Sequence, residues 1–139
     1  MRNFYQEMES RIEKYKKLVQ DLLKQEFINF SDKNKNIPTT SGVYAIFDDK
    51  GNLLYIGEAQ NMRRRLLNNH LRGNVGSSVL RRKIAEQKLN LSGDKISKSD
   101  EENINKFLKS CCFCFLEIED ERERKMFEHF SISVLHPEL

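Results

Sequence analysis

Gly42-Val43-Tyr44-Ala45-Ile46-Phe47, then Asp48-Asp49-Lys50-Gly51-Asn52, then Leu53-Leu54-Tyr55-Ile56-Gly57 reads as two strands around a turn. The outer runs are rich in β-branched and aromatic residues and the middle is turn chemistry, so the stretch is a β-hairpin. With Lys50-Gly51 as a two-residue turn, Ala45 falls opposite Ile56, Ile46 opposite Tyr55 and Tyr44 opposite Gly57. Side chains alternate with period two, so Tyr44 and Tyr55 share a face, diagonal to each other. A loop one residue longer would put them on opposite faces, and the register is therefore a sharp expectation.

Gly57 closes the second strand. Glu58-Ala59-Gln60-Asn61 then leads into Met62 to Leu71, a run of good helix formers with Asn61 as N-cap and Arg65 on the second turn. Two phenols and a guanidinium thus meet near one end of the hairpin. Charge follows the same line. Between Ala59 and Ala85 stand Arg63, Arg64, Arg65, Arg72, Arg81, Arg82 and Lys83 with no acidic residue, in a chain of formal net charge +3. The remainder is net acidic, so the positive charge is local, as a phosphate-tracking face requires. A merely solvated helix surface would mix in acids. Gly73 to Ser78 is a loop feeding a second basic helix, about Ser78 to Lys88. Its Ser77 and Ser78 either cap that helix or help its N–H groups hold a phosphate. The candidate nucleic-acid contacts are accordingly Arg63, Arg64, Arg72, Ser77, Ser78, Arg81, Arg82 and Lys83.

Residues 3 to 28 read as one amphipathic helix, with Tyr5, Met8, Ile12, Tyr15, Val19 and Leu22 three and four apart. Leu18, Leu23 and Phe27 widen the stripe, which suits docking on its own domain, on a second copy or on a partner protein. Ser31 to Ser41 is a polar connector. The expected organisation is an N-terminal helix at 1–30, a linker at 31–40 and a core domain at 41–139. Beyond the basic helices, Leu91 to Lys98 is a polar loop. Ser99-Asp100-Glu101-Glu102 is a capping box for a short helix carrying Ile104, Phe107 and Leu108, within an insertion over 89–110 whose role the sequence does not give. Cys111 to Ile118 is apolar enough for a third, central strand. Asp120-Glu121 opens a last helix with Phe127, Phe130 and Val134 on one face, and Pro137 ends it. The fold class is α/β of the α+β type: a small three-stranded, mainly antiparallel sheet flanked by helices, with an extra N-terminal amphipathic helix.

At 139 residues and 16.5 kDa the chain suits one domain plus an appendage. No apolar run approaches the roughly 20 residues of a membrane span, and no secretory signal core is visible, so a cytoplasmic protein without membrane contact is expected. Cys111, Cys112 and Cys114 are an odd, clustered set, a poor disulfide framework and a poor zinc site, and read as strand residues in a reducing compartment.

The two tripeptides, their spacing and an arginine eight residues after Gly57 resemble the GIY-YIG nuclease superfamily, the first motif reading Gly-Val-Tyr here. The resemblance covers about 41 to 139, with Gly42 and Gly57 as its structural glycines. It extends to the last helix, where Glu128 followed nine residues later by Pro137 is similar to the family's C-terminal motif. It implies an endonuclease that hydrolyses DNA at a single active site with Mg²⁺ or Mn²⁺. Tyr44 would be general base or nucleophile positioner, Tyr55 would orient water or phosphate, Arg65 would stabilise charge on the phosphate, and Glu128 would bind the metal. On spacing alone Glu128 is equally an i, i+4 partner for Arg124, and Glu58, Glu121 and Glu123 are fallback carboxylates. The family often places a histidine four residues after its arginine. Here Asn69 holds that position and His70 is one further on, so His70 is the equivalent only if the helix is locally distorted. His129 and His136 read as surface or helix-end residues. The competing readings are a catalytically inactive nucleic-acid-binding module on the same basic face, and a helical interaction protein built on residues 3 to 28.

Overall fold

The computed structural model describes residues 1–33, 35–92 and 95–139; Asn34 of the expected linker and Gly93-Asp94 of the expected polar loop lie outside the described residues. Its elements in chain order are α1 (Phe4–Leu23), β1 (Ile28–Asn29), β2 (Gly42–Phe47), β3 (Leu53–Ala59), a π-helix (Arg64–Leu71), α2 (Val79–Gln87), α3 (Lys98–Lys109), β4 (Cys112–Glu117) and α4 (Glu121–Leu135).

Asp48 builds the hairpin turn. Its Oδ1 accepts from the N–H groups of Lys50 at 3.0 Å and Asn52 at 2.8 Å, and its carbonyl accepts from Gly51 N–H at 3.1 Å. The Asp48 N–H to Asn52 carbonyl bond of 2.9 Å closes a three-residue loop, Asp49-Lys50-Gly51, with Gly51 left-handed at φ 85°. Three-residue loops of this kind take a glycine at that position. The loop is one residue longer than the expected turn, which alone would send Tyr55 to the wrong face. Leu54 restores the phase: Phe47 pairs with Leu53 and Ile46 with Tyr55, so Leu54 is bulged out of the ladder. From there the pairing runs as expected, Ala45 with Ile56 and Tyr44 with Gly57.

The sheet has four strands rather than three, all antiparallel, in the order β1-β4-β2-β3. The added strand comes from the segment expected to continue the N-terminal helix. Asn3 caps α1, but the helix stops at Leu23, and Ile28 and Asn29 pair with Phe113 and Cys112 on the free edge of β4. β4 is central, as expected. Alternation then sorts the core into two layers. One face of the sheet packs Tyr44, Ile46 and Phe113 against Leu66, Leu67, Leu80, Ile84, Ile104 and Leu108 of the π-helix, α2 and α3. The other packs Val43, Ala45, Ile56 and Cys114 against Val19 and Leu22 of α1 and Phe127 of α4. Phe30 and Ile37, between α1 and β2, join the first layer.

Only the C-terminal half of the α1 stripe is buried, whereas Tyr5, Met8 and Ile12 remain exposed. Tyr15 rests on Phe130 with ring centroids 5.5 Å apart, and Lys14 pairs with Glu123 at 2.7 Å. Two boundaries move. The capping box belongs to Ser97 and Asp100, not Ser99, and the buried face of α4 is Arg124, Phe127 and Ser131, with Val134 51% exposed. His136 ends α4 in the left-handed conformation, φ 51°, just ahead of Pro137. Among the described residues no helix is long and apolar enough to cross a membrane. The three cysteines are free thiols, and burial pushes Cys111 and Cys114 up to about 12.

Gly51 faces open space, so a methyl there meets no atom and only the backbone conformation is penalised. Gly51→Ala should lower the unfolding free energy by about 1 kcal/mol in urea titration, with Gly51→Asn losing less. An alanine variant as stable as wild type would contradict the three-residue loop.

Candidate active site

Tyr44 points from β2 into the first layer and is 1% exposed. Its ring lies over Gly57, the residue it pairs with on β3. A Cβ on Gly57 would collide with Tyr44 Oη and Cζ, so the glycine is what admits the phenol. Gly42 has a comparable reason, because its Cβ would run into the Leu116 carbonyl of β4 and come within 2.6 Å of Met62 Sδ. Tyr55, two residues before Gly57, stacks beside Tyr44 with centroids 6.3 Å apart and planes at 25°. The shared face expected from the register is realised.

A phenol in that apolar layer needs a hydrogen-bond partner. His70 supplies it, with Nε2 2.7 Å from Tyr44 Oη. His70 is itself 1% exposed and packs edge-on against both tyrosine rings, at 5.6 and 5.9 Å. It gets there because the helix is distorted. Asn61 caps it through Arg64 N–H at 2.9 Å, but from Arg64 to Leu71 the winding is π, and Arg72 N–H bonds the Leu67 carbonyl five residues back. The wider turn brings His70 inward, while Arg65 stays exposed and Asn69 half-buried.

Ser78, the N-cap of α2, and Arg81 within that helix hold His70 from behind. Ser78 caps α2, its Oγ accepting from Arg81 N–H at 3.1 Å, and the same Oγ lies 2.7 Å from His70 Nδ1. Arg81 was expected on the phosphate-tracking surface. Instead it is 0% exposed, and Nη1 donates to the carbonyls of His70 at 2.9 Å and Leu71 at 3.2 Å and to Asn105 Oδ1 at 2.8 Å. Nη2 donates to the Glu101 carbonyl at 3.1 Å and lies 3.6 Å from its carboxylate. The guanidinium thus satisfies the carbonyls at the end of the π-helix and ties them to α3, which gives the 89–110 segment a structural part in the site. Its position was readable: Arg81 lies four residues before Ala85, beside Leu80 and Ile84, on the buried stripe of α2.

Of the other expected phosphate contacts, Arg63, Arg64, Arg72, Ser77 and Arg82 are exposed. Ser77 Oγ accepts from Asn74 N–H at 3.1 Å, and Ser78 is buried by its two roles. Lys83 sets its ammonium 5.7 Å from the Tyr55 ring centroid, at the border of the site.

The carboxylates sort themselves by partner. Arg124, 2% exposed, does not pair with Glu128; its Nε donates to Glu58 Oε2 at 2.6 Å, and Nη1 reaches the carbonyls of Ile118 and Glu119. Glu121 pairs with Lys125 at 3.0 Å and Glu123 with Lys14. Glu128 is left half-buried at 19% side-chain exposure, with no Lys or Arg within ion-pair distance among the described residues and only His129 nearby at 3.9 Å. Burial and the neighbouring Glu58 charge raise its pKa above the usual carboxylate value. β3 is the sheet edge and is packed by α4, the helix that carries Glu128. Its charge is felt at both phenols, as is the opposing charge of Arg65. A cleft of about 450 Å³ opens beside this corner between Arg64, Arg65 and Asn69 of the π-helix and Glu121 and Lys125 of α4.

Burial dominates the titration of the inner groups. It raises Tyr44 well above 10, with Tyr55 adding to the shift and Arg65 opposing it. It lowers His70 to about 3, helped by Arg65 and Arg81. The imidazole is therefore neutral, and either tautomer satisfies both its neighbours. A half-buried carboxylate without a counter-charge is the donor a hard divalent ion takes together with water and a phosphate oxygen. Glu128 fits that role, although no group of three or more His, Cys, Asp or Glu side chains surrounds a metal position among the described residues.

Comparison with known proteins adds three short relatives and one long match. UvrABC system protein C of Nautilia profundicola is 44% identical over 39 residues, 28% of this chain and 6% of that protein. The same protein of Bartonella quintana is 50% identical over 34 residues, and that of Neisseria gonorrhoeae 53% over 32, each covering 5% of the relative. The aligned stretch is thus a small fraction of those proteins' own length. A family model described as the GIY-YIG catalytic domain matches residues 25–139.

Because His70 is neutral when folded and takes up a proton when unfolded, the unfolded chain binds more protons between about pH 6.5 and 3. Stability should be complete above about 6.5 and fall by up to ~1.4 kcal/mol per pH unit below it. Urea titrations of wild type and His70→Gln across that range check this: the variant should lose the slope between pH 6.5 and 5, and identical slopes would refute a buried neutral imidazole. Arg81→Met removes the guanidinium donor from the His70 and Leu71 carbonyls and Asn105 Oδ1 and should lose about 3 kcal/mol, whereas exposed Arg82→Met should stay within about 0.5 kcal/mol of wild type.

Proposed function

Since the chain belongs to the GIY-YIG catalytic-domain family, we propose that it is a metal-dependent endonuclease that hydrolyses phosphodiester bonds of DNA through one active site formed by Tyr44, Tyr55, Arg65, His70 and Glu128. What supports this reading most is the half-buried Glu128 carboxylate, which among the described residues has no Lys or Arg within ion-pair distance and whose charge acts on Tyr44 and Tyr55, together with the hydrogen-bonded Tyr44–His70 pair. Arg124 would have neutralised Glu128 in an i, i+4 pair, and it is engaged with Glu58 instead.

Phosphodiester hydrolysis needs an in-line water, charge on the non-bridging oxygens and help for the leaving oxygen. Glu128 would hold a Mg²⁺ or Mn²⁺ ion, which when bound would supply positive charge for the phosphate. Arg65, exposed at the cleft between the π-helix and α4 and near enough for its charge to act on both phenols, would stabilise that phosphate from the protein side. His70 is a poor base at a pKa of about 3, so its role is that of a neutral donor. In the tautomer protonated at Nε2 the chain runs from Arg81 N–H to Ser78 Oγ, from Ser78 O–H to His70 Nδ1, and from His70 Nε2–H to Tyr44 Oη. That direction leaves the Tyr44 oxygen as an acceptor, and successive bonds polarise one another. Tyr44 orients the attacking water through its oxygen and, in the phenolate form that the Arg65 charge favours against burial, takes up that water's proton to become the neutral phenol. Tyr55, at the rim with Lys83 over its ring, fixes the phosphate or water. The exposed Arg63, Arg64, Arg72 and Arg82 track the flanking backbone.

The test is cleavage of labelled single-stranded, duplex and branched DNA with Mg²⁺ or Mn²⁺ and with chelator. Cutting should require the metal. Glu128→Ala and Arg65→Ala should each reduce the rate by about a hundredfold or more while Kd for DNA changes little for Glu128→Ala. Wild type that binds these DNAs and cuts none would leave a binding module in place of an enzyme.

A further inference from the structure

Four cations meet at a second place, away from the tyrosines. A cleft of about 480 Å³ is lined by Lys33 and Lys35 from the segment after β1, Arg72 from the end of the π-helix and Lys109 from the end of α3, with Asp32 as the opposing carboxylate. Three segments distant in sequence therefore direct like charges at one space. Their convergence is felt at Lys35, whose ammonium is pulled below its usual value by burial first and then by Arg72 and Lys109, against Asp32. Lys35 is fixed there by the Phe30 carbonyl, to which Nζ donates at 2.8 Å, and by the Asp32 carbonyl. Among the described residues none of the four cations has a carboxylate within ion-pair distance. Elsewhere this chain does pair its cations across segments, as with Lys14 and Glu123, Lys88 and Glu138, and Arg124 and Glu58.

Among the described residues the four cations have no carboxylate partner to share, and a phosphate, whose oxygens accept several charge-assisted hydrogen bonds at once, is the anion suited to joining them. We propose that this cleft is a second phosphate-binding site, which takes a backbone phosphate of the nucleic acid outside the nucleotide being cut. The proposal rests on the reading of DNA as the substrate and adds contacts absent from the basic run at 59–85: Lys33, Lys35 and Lys109. The floor of the cleft is shared with the support of His70, since Asn105 lines it and accepts from Arg81, and Leu71 lines it and gives Arg81 its carbonyl. A strand held here is therefore registered against the same π-helix that carries Arg65 and His70.

Anisotropy of a labelled duplex with the full chain, in chelator so that nothing is cut, measures the salt dependence of Kd between about 50 and 200 mM. Lys33→Gln/Lys109→Gln removes two exposed charges and should make the slope of log K against log salt shallower by about 0.9, the contribution of the one phosphate held in the cleft. The equally charged control Lys16→Gln/Lys17→Gln, on exposed α1 positions, should keep the wild-type slope. Equal slopes for wild type and the cleft variant, or equal flattening by the control, overturn the proposal. Inorganic phosphate is the second probe: if it shifts the amide resonances of Lys35 and Arg72 while the duplex slope is unaffected by the cleft variant, the site belongs to a free anion and the DNA assignment is wrong. The readout needs no turnover, so wild type that binds with the full slope but never cuts defeats the nuclease reading alone. A cleaving enzyme whose cleft variant keeps the wild-type slope defeats the cleft alone.

Discussion

A buried phenol must have a hydrogen-bond partner, and much of this molecule is arranged around meeting that need for Tyr44. The ring enters the core because Gly57 has no side chain to exclude it. Once inside, its oxygen is cut off from water, and an orphaned hydroxyl there costs about 1–3 kcal/mol. His70 meets the need but is a second polar group in the same apolar layer, so the demand passes outward to Ser78 on its other ring nitrogen. Ser78 can answer because it already stands at the N-terminus of α2, whose first turn supplies Arg81 N–H to the same oxygen. Each partner is thus the solution to the burial of the one before.

The same logic accounts for where the charge goes. Two guanidiniums, Arg81 and Arg124, are drawn inside, each surrounded by carbonyls and matched by one carboxylate, Glu101 and Glu58. Neither is available to a ligand. Their withdrawal leaves the surface pattern that matters: Arg64 and Arg65 at one cleft, Arg72 at another, and Glu128 with no Lys or Arg within ion-pair distance among the described residues. These local charge imbalances persist because internal pairing has used up the competing partners.

How much of this stands in the sequence depends on whether the information is local. The strands β2 and β3, the caps Asn61 and Ser78 and the pairing of Tyr44 with Gly57 follow from residue types and spacing. β1 does not, since two residues pair only because the edge of β4 is free. The partner of Arg124 is likewise invisible: the local rule offered Glu128 four residues on, and the fold offered Glu58 from a strand 66 residues away. Arg81 is an intermediate case. Helical spacing placed it on the apolar stripe with Ala85, but its position in the basic run Arg81-Arg82-Lys83 spoke for the surface, and only the carbonyls left open at the end of the π-helix explain why burial won.

The hairpin and the helix depart from regularity in one common way. Each carries a single extra residue. The hairpin loop is one longer than the two-residue turn, and Leu54 bulges to absorb it, so that Tyr55 returns to the face of Tyr44. The helix carries its histidine five residues after Arg65 rather than four, and π winding absorbs that residue, so that His70 still faces Tyr44. A bulge and a π turn are the strand and helix forms of one local insertion, and both are tolerated where a side chain must be re-aimed. Their occurrence on the two elements that supply Tyr55, Arg65 and His70 indicates what the fold keeps constant. A local defect costs less than losing the contact between their rings, and in this chain it is the facing geometry of Tyr44, Tyr55 and His70 that the backbone bends to preserve.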